Sequence, residues 1–246
     1  MAYELSTKKS GVSKKWEDQK FLMIGHSGIG KSSFWSHAED VGYIETEAGL
    51  NFIDACKNPA GDWSELGGIL SALGKSAKDG TFPYKTIVLD TIDRADDFAM
   101  ESAVNFFKSK YPDKDIMGLG DVPGIGIGWD LRRKQTNKLI HGLEKLPCAV
   151  AIIGHLETKK IEEMGNKAYD KNTISIGGKV GGDITSWSDH TLHVVGKMQG
   201  NTLKRTVYTK PTQSREAKSR GGIVKDGWIW DEDDKVNFDK LRSCFE

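Results

Sequence analysis

The sequence predicts an α/β fold: a mainly parallel sheet with helices on both faces and a β-hairpin near the C-terminal end. Three observations carry that expectation. Gly25-His26-Ser27-Gly28-Ile29-Gly30-Lys31-Ser32 matches G-x-x-x-x-G-K-[ST], with an apolar strand-type run before it (20–24) and a helix-compatible run after it (33–38). Two further apolar runs, 85–90 and 148–154, alternate with helical stretches, the order that builds parallel sheets covered on both faces. Residues 191–197 and 203–210 read as two strands around Gln199-Gly200-Asn201, a hairpin turn.

Taken in order, residues 1–19 form a polar arm with Lys8, Lys9, Lys14 and Lys15 and no apolar signal core. The motif and a helix to about residue 38 follow. Residues 41–45 supply a second strand that runs into Thr46-Glu47-Ala48-Gly49. Asp62 starts a helix with Glu65 three residues on, a capping-box pattern, and Trp63, Leu66, Ile69, Leu70 and Leu73 mark its packing face. The strand 85–90 closes on Asp90. A helix over 93–111 is expected to bury Phe98, Phe106 and Phe107, and a glycine-rich loop (118–128) leads into a helix over 129–146. The strand at 148–154 ends beside His155. Residues 156–182 show no strong period and read as a long loop, which a compact domain rarely carries without a use. A basic loop covers 211–222. The chain is divided as arm 1–19, core 20–222 and C-terminal tail 223–246, the last holding Trp228-Ile229-Trp230 and an acidic run at 231–234.

Bulk properties narrow the function. The 246 residues suit one sizeable α/β domain. Lys+Arg and Asp+Glu both number 35, which argues against a protein that coats nucleic acid through global charge and leaves only local patches. Three separated cysteines, Cys56, Cys148 and Cys244, point to a reducing compartment and away from a disulfide framework or zinc site. No apolar run approaches the roughly 20 residues of a membrane span, so a cytoplasmic location is expected.

The chemistry begins at the glycine-rich turn. Gly25, His26, Ser27, Gly28, Ile29, Gly30, Lys31, Ser32 and Ser33 are the expected phosphate cradle, because backbone amides without side chains in the way wrap an anion closely. Lys31 is placed to neutralise the β- and γ-phosphates, and Ser32 to offer its hydroxyl to Mg²⁺. Asp90, at the end of a buried strand, is the expected second Mg²⁺ ligand. Thr91 follows Asp90 where AAA+ motors usually carry a water-activating Glu, so the base must lie elsewhere. Asn166-Lys167-Ala168-Tyr169-Asp170 misses the guanine-reading Asn-Lys-x-Asp by one residue, and nothing marks a nucleotide-kinase lid.

Tyr43-Ile44-Glu45-Thr46-Glu47-Ala48-Gly49 resembles the RecA strand end that carries that family's water-activating glutamate. The resemblance implies Glu47 as base and leaves Glu45 a structural role. It extends over about residues 20–222. It places His155 where RecA has a γ-phosphate-sensing Gln, with a backbone-satisfied strand-end His as the alternative. It places loops 118–128 and 156–182 where RecA binds DNA. Lys159, Lys160, Lys167, Lys171 and Lys179 then supply the charge for single-stranded DNA, against a mobile surface loop of unrelated use. Trp187, Trp228 and Trp230 read as core or interface; Trp129, at the lip of the first loop, reads equally as a stacking platform. The chain looks most like the short phage RecA-like ATPases, the Sak-type single-strand annealing recombinases. Ala217-Lys218-Ser219-Arg220-Gly221 resembles the Lys-Asn-Arg-Phe-Gly element of RadA proteins, whose Lys and Arg reach a neighbouring subunit's nucleotide; Ser219 and Gly221 depart from it, and a solvated basic loop is the alternative. The resemblance implies ATP and Mg²⁺ as ligands, a ring or filament, and assisted annealing or recombination on single-stranded DNA. An ATP-dependent switch with protein partners and a DNA motor are the rival expectations.

Overall fold

The computed structural model describes residues 11–162 and 167–245. Residues 1–10 of the polar arm and 163–166 of the second loop lie outside the described residues. The strands are β1 (Lys20–Gly25), β2 (Val41–Glu45), β3 (Cys56–Pro59), β4 (Thr86–Asp90), β5 (Ala149–Ile161), β6 (Tyr169–Ile174), β7 (His190–Gln199), β8 (Thr202–Tyr208), β9 (Lys218–Ser219) and β10 (Trp228–Ile229). The helices are α1 (Lys31–Trp35), α2 (Trp63–Lys78), α3 (Ile92–Lys110), α4 (Ile127–Glu144), α5 (Lys179–Trp187) and α6 (Asp234–Arg242).

They form one sheet in the order β10-β8-β7-β1-β5-β4-β2-β3. The stretch from β7 to β3 is parallel throughout, and β8 returns antiparallel on β7 as the expected hairpin. This is an α/β P-loop core, a mainly parallel sheet with helices on both faces and the phosphate loop between β1 and α1. The two-residue period of β1 decides the layers. Phe21 and Met23 pack on one face with Phe34 and Trp35 of α1 and Phe238 and Leu241 of α6. Leu22 and Ile24 pack on the other with Leu66, Ile92, Leu139 and Ile184 from α2 to α5. Burying each such side chain contributes about 1.5–3 kcal/mol, which fixes the register and therefore the strand ends.

Several expectations change. Helix α1 stops at Trp35, and Asp40, at φ 45, turns the chain into β2. Phe98 and Phe107 are buried, but Phe106 is exposed on the outer side of α3. Among its described residues, the segment 156–182 is not one loop. Strand β5 runs on past the sheet to Ile161 and pairs antiparallel with β6, from Leu156 opposite Ile174 to Ile161 opposite Tyr169, before α5 begins at Lys179. Between those end pairs both faces of the ribbon are polar (Glu157–Lys160 opposite Asp170–Thr173), which removes the apolar alternation that betrays a strand.

The arm and the tail also enter the core. Trp16 is buried, donates from Nε1 to Thr86 Oγ1 at 2.9 Å, and stacks among Phe21, Phe238 and Phe245. Residues 223–245 supply β10, α6 and the buried Trp230, Phe238, Leu241 and Phe245. Aromatic burial draws both chain ends onto the α1 face. Among the described residues, no helix is long and apolar enough to cross a membrane.

Candidate functional site

The parallel register brings three strand ends together. Gly25, the last residue of β1, stands level with His155 on β5, and Asp90 ends β4 one strand further on. Above these carboxyl ends lies a pocket of about 350 Å³, the position where open α/β sheets bind ligands. Its walls include Ser27, Gly28, Gly30, Lys31, Ser32, Ser33, Glu47, Asp90, Thr91 and His155. Five residues singled out in the sequence for catalysis or metal binding (Lys31, Ser32, Glu47, Asp90 and His155) thus converge. Gly28 and Gly30 take positive φ, 73° and 99°, which only glycine adopts without strain.

Lys31 is buried, and its Nζ donates to the carbonyls of Gly25 and His26 at 2.9 and 3.0 Å. Burial lowers its pKa, against the raising pull of Asp90, Asp93 and Glu47. Ser32 Oγ donates to Asp90 Oδ2 at 2.5 Å, and Tyr43 OH donates to Ser32 O at 2.7 Å. Burial raises the Asp90 pKa, partly opposed by the Ser32 hydrogen bond and Lys31. A hydroxyl and a carboxylate placed side by side are hard oxygen donors that suit Mg²⁺, which takes few protein ligands and keeps waters and phosphate oxygens for the rest. Thr46 locks the floor. Its Oγ1 donates to Thr91 O at 2.7 Å and accepts from Thr91 N at 2.8 Å. Thr91 Oγ1 in turn donates to Glu47 Oε2 at 3.3 Å. Glu45 faces elsewhere, with its carboxylate accepting from Leu50 N.

His155 is held by a residue the sequence did not suggest. Asp93 Oδ2 accepts from His155 N at 2.9 Å and lies 3.3 Å from His155 Nδ1, while Ser175 Oγ donates to Asp93 Oδ1 at 2.6 Å. The hydrogen bond to Asp93 raises the His155 pKa above its usual value. Burial acts to raise Asp93, but the hydrogen bonds from His155 and Ser175 outweigh it and hold its carboxyl low. Phe52, fully exposed, also lines the pocket. Arg205 of β8 reaches the outside of the phosphate loop, donating from Nη1 to Ile29 O at 3.2 Å. Neither Asp93 nor Arg205 sits in a local motif, so only the fold reveals them.

Lys218 and Arg220 do not join this pocket. Strand β9 pairs with His190 and Thr191, level with Phe21 and Leu22 near the start of β1 and roughly 10–13 Å along the strand from Gly25, where the phosphate loop begins. Lys218 Nζ donates to Thr185 O and Ser186 O, and Arg220 pairs with Asp189 at 2.9 Å. The five lysines assigned to DNA are also dispersed. Lys159 and Lys171 oppose each other on one face of the β5–β6 ribbon, Lys160 faces Asp170 on the other, Lys167 is exposed before β6, and Lys179 starts α5. Lys159 pairs with Glu157 at 2.6 Å and Lys160 with Glu162 at 3.2 Å. In the first loop, Ile125 is fully exposed and Trp129 half exposed, with Arg132 over its ring. Trp230 is buried, and Trp187 and Trp228 pack against the two main clusters.

Comparison with known proteins adds a family. A family model described as an AAA domain matches residues 17–221, well over half of the chain. No curated protein matches. Among solved structures, a KaiC-like protein from the hyperthermophilic archaeon Pyrococcus horikoshii OT3 superposes with a TM-score of 0.49 at 10% identity, covering 89% of this chain and 88% of that one. A likeness of that size carries no functional inference.

Proposed function

We propose, because the chain belongs to the AAA domain family, that it is a Mg²⁺-dependent ATPase whose reaction takes place in the pocket at the ends of β1, β4 and β5. The observation that carries this reading is the convergence of Lys31, Ser32, Glu47, Asp90 and His155 on one 350 Å³ cavity. In it, loop amides and the Lys31 ammonium hold the triphosphate, and Ser32 Oγ with Asp90 would hold Mg²⁺. The metal supplies charge compensation to the phosphate oxygens. Glu47, oriented by Thr91, takes the proton of the attacking water as its oxygen bonds to the γ-phosphorus and the bond to the leaving diphosphate breaks. His155, whose pKa Asp93 raises, donates to the γ-phosphate and registers its loss. Phe52 offers a stacking face to the base. Phosphate release from ATP by the purified chain, present with Mg²⁺ and abolished by chelation, tests this reading; no release above the spontaneous rate would overturn it.

The finer reading is a phage-type RecA-like protein that assembles head-to-tail as a ring or filament on single-stranded DNA and assists annealing or recombination. Lys218 or Arg220 then acts on a neighbour's nucleotide, since neither reaches its own. Arg220→Ala should keep nucleotide binding, lose hydrolysis, and regain it in mixtures with Lys31→Ala subunits; absence of rescue would speak against assembly in this form. One observation favours the rival, a nucleotide switch with protein partners. The ribbon lysines divide between two faces, and the first loop exposes Ile125, Met117 and Trp129, an apolar surface better suited to protein than to phosphate.

A further inference from the structure

The family match ends at residue 221, yet the chain beyond it closes on the phosphate loop. Strand β10 pairs antiparallel with β8, and Trp230 N donates to Arg205 O at 3.0 Å just past that pairing. The Trp230 ring, 5% exposed, packs on Phe34 of α1 with centroids 5.3 Å apart. The Arg205 guanidinium lies over the same ring, 4.9 Å from its centroid. Asp234, at the start of α6, accepts from Trp230 Nε1 at 2.7 Å and stands 3.8 Å from Arg205 Nη1. So fixed, Arg205 Nη1 donates to Ile29 O at 3.2 Å. A Cβ on Gly30 would lie 2.7 Å from Arg205 Nη1 and 3.6 Å from Trp230 Cζ2, so the guanidinium rests directly on the loop backbone. From the other side, the Ile29 side chain fills the space over Gly196 of β7, where a Cβ would stand 2.7 Å from Ile29 Cδ1. Neither Arg205 nor Trp230 lines the pocket.

We propose that the C-terminal segment is an intramolecular clamp on the phosphate loop, with Arg205, Trp230 and Asp234 as positioning residues that hold Ile29 and Gly30 ready for phosphate and so set nucleotide affinity. The physical basis is preorganisation. A loop already ordered does not lose its freedom again when the ligand arrives, so binding is tighter. Because the clamp acts on the bound ground state and the transition state alike, its loss raises Kd and KM and leaves kcat in place.

This inference rests on the nucleotide reading, so the test has a ligand-free arm. Hydrogen–deuterium exchange of the amides in 26–31 is measured for wild type, Arg205→Met, Arg205→Lys and Asp234→Asn, alongside titration with a fluorescent ATP analogue and Mg²⁺. Arg205→Met is expected to speed exchange in the loop and to weaken binding about tenfold with one site per chain retained, the effect of losing one charge-assisted contact. Arg205→Lys, which keeps the charge, should recover part of the loss, and Asp234→Asn should fall between wild type and Arg205→Met. A purely structural role predicts something different: a lower melting temperature and fewer competent sites, with Kd, KM and loop exchange unchanged among the folded molecules, and that result would overturn the clamp. If wild type binds no nucleotide, the ATPase reading fails, and exchange in the loop alone decides the clamp: faster in Arg205→Met sustains it, unchanged refutes it. Should Arg205→Met not fold, Asp234→Asn gives the same decision.

Discussion

Two parts of the molecule carry lysines chosen for phosphate chemistry, and they treat them in opposite ways. In the pocket, Lys31 is buried and desolvated, held by two loop carbonyls and faced by Asp90. On the β5–β6 ribbon, Lys159 is half-buried and Lys160 exposed, and both are paired with carboxylates of their own strand or its end. A charge held in a low-dielectric setting acts strongly on an arriving phosphate, whereas an exposed and paired one is screened. Charge count puts the ribbon first; convergence and burial put the pocket first.

The largest expected effect lies in the pocket. Glu47→Gln removes the proton acceptor and leaves the cradle intact, so hydrolysis should fall about 10²–10⁴-fold while nucleotide binding is retained. Single-turnover kinetics with a binding control checks this; a wild-type rate would remove Glu47 from the role of base.

Next comes the Asp93–His155 pair. His155 is raised in the folded state, so its contribution is complete below its unfolded value of about 6.5 and is lost as pH rises through the folded value. Asp93 is lowered, so its contribution is present above about 3.9 and is lost as pH falls through the folded value. Asp93→Asn should therefore lower the melting temperature more at about pH 5.5 than at a pH above the folded His155 value, where His155 is neutral in both states. Burial pushes His190 and His193 down to about 4, which erodes stability toward acid in both proteins and cancels in the difference. Equal losses at both pH values would break the assignment of charge to His155.

On the ribbon the effects should be smaller. If single-stranded DNA binds there, removing Lys167, Lys171 and Lys179 together should weaken oligo-dT binding and flatten its salt slope by up to about 2, at about 0.7 per phosphate contact. Anisotropy across a salt series measures it, and an unchanged slope would favour the protein-partner reading. The smallest effect belongs to Lys160→Ala, whose exposed pair with Glu162 should change stability by no more than about 0.5 kcal/mol in a melting experiment.

The contrast also governs what was legible. The phosphate loop, Asp90, Glu47 and His155 sit in short motifs or at the ends of apolar runs, so local sequence reports them. Arg205 meets Ile29 across 176 residues, and Ser175 meets Asp93 across 82, so no local pattern encodes either contact. The ribbon escaped because the four pairs between its apolar ends are polar on both faces. Trp16 and Phe238 lay in segments set apart as arm and tail, where single aromatics in polar surroundings give no period, although the core gathers them.

A crystal structure with Mg²⁺ and a non-hydrolysable ATP analogue tests the central claim most directly. The account predicts the γ-phosphate within hydrogen-bond distance of Lys31 Nζ and His155, Mg²⁺ on Ser32 Oγ with Asp90 beside it, and a water between Glu47 and the γ-phosphorus. A triphosphate bound away from the ends of β1, β4 and β5, or a Glu47 turned from it with another carboxylate on the water, would contradict the account.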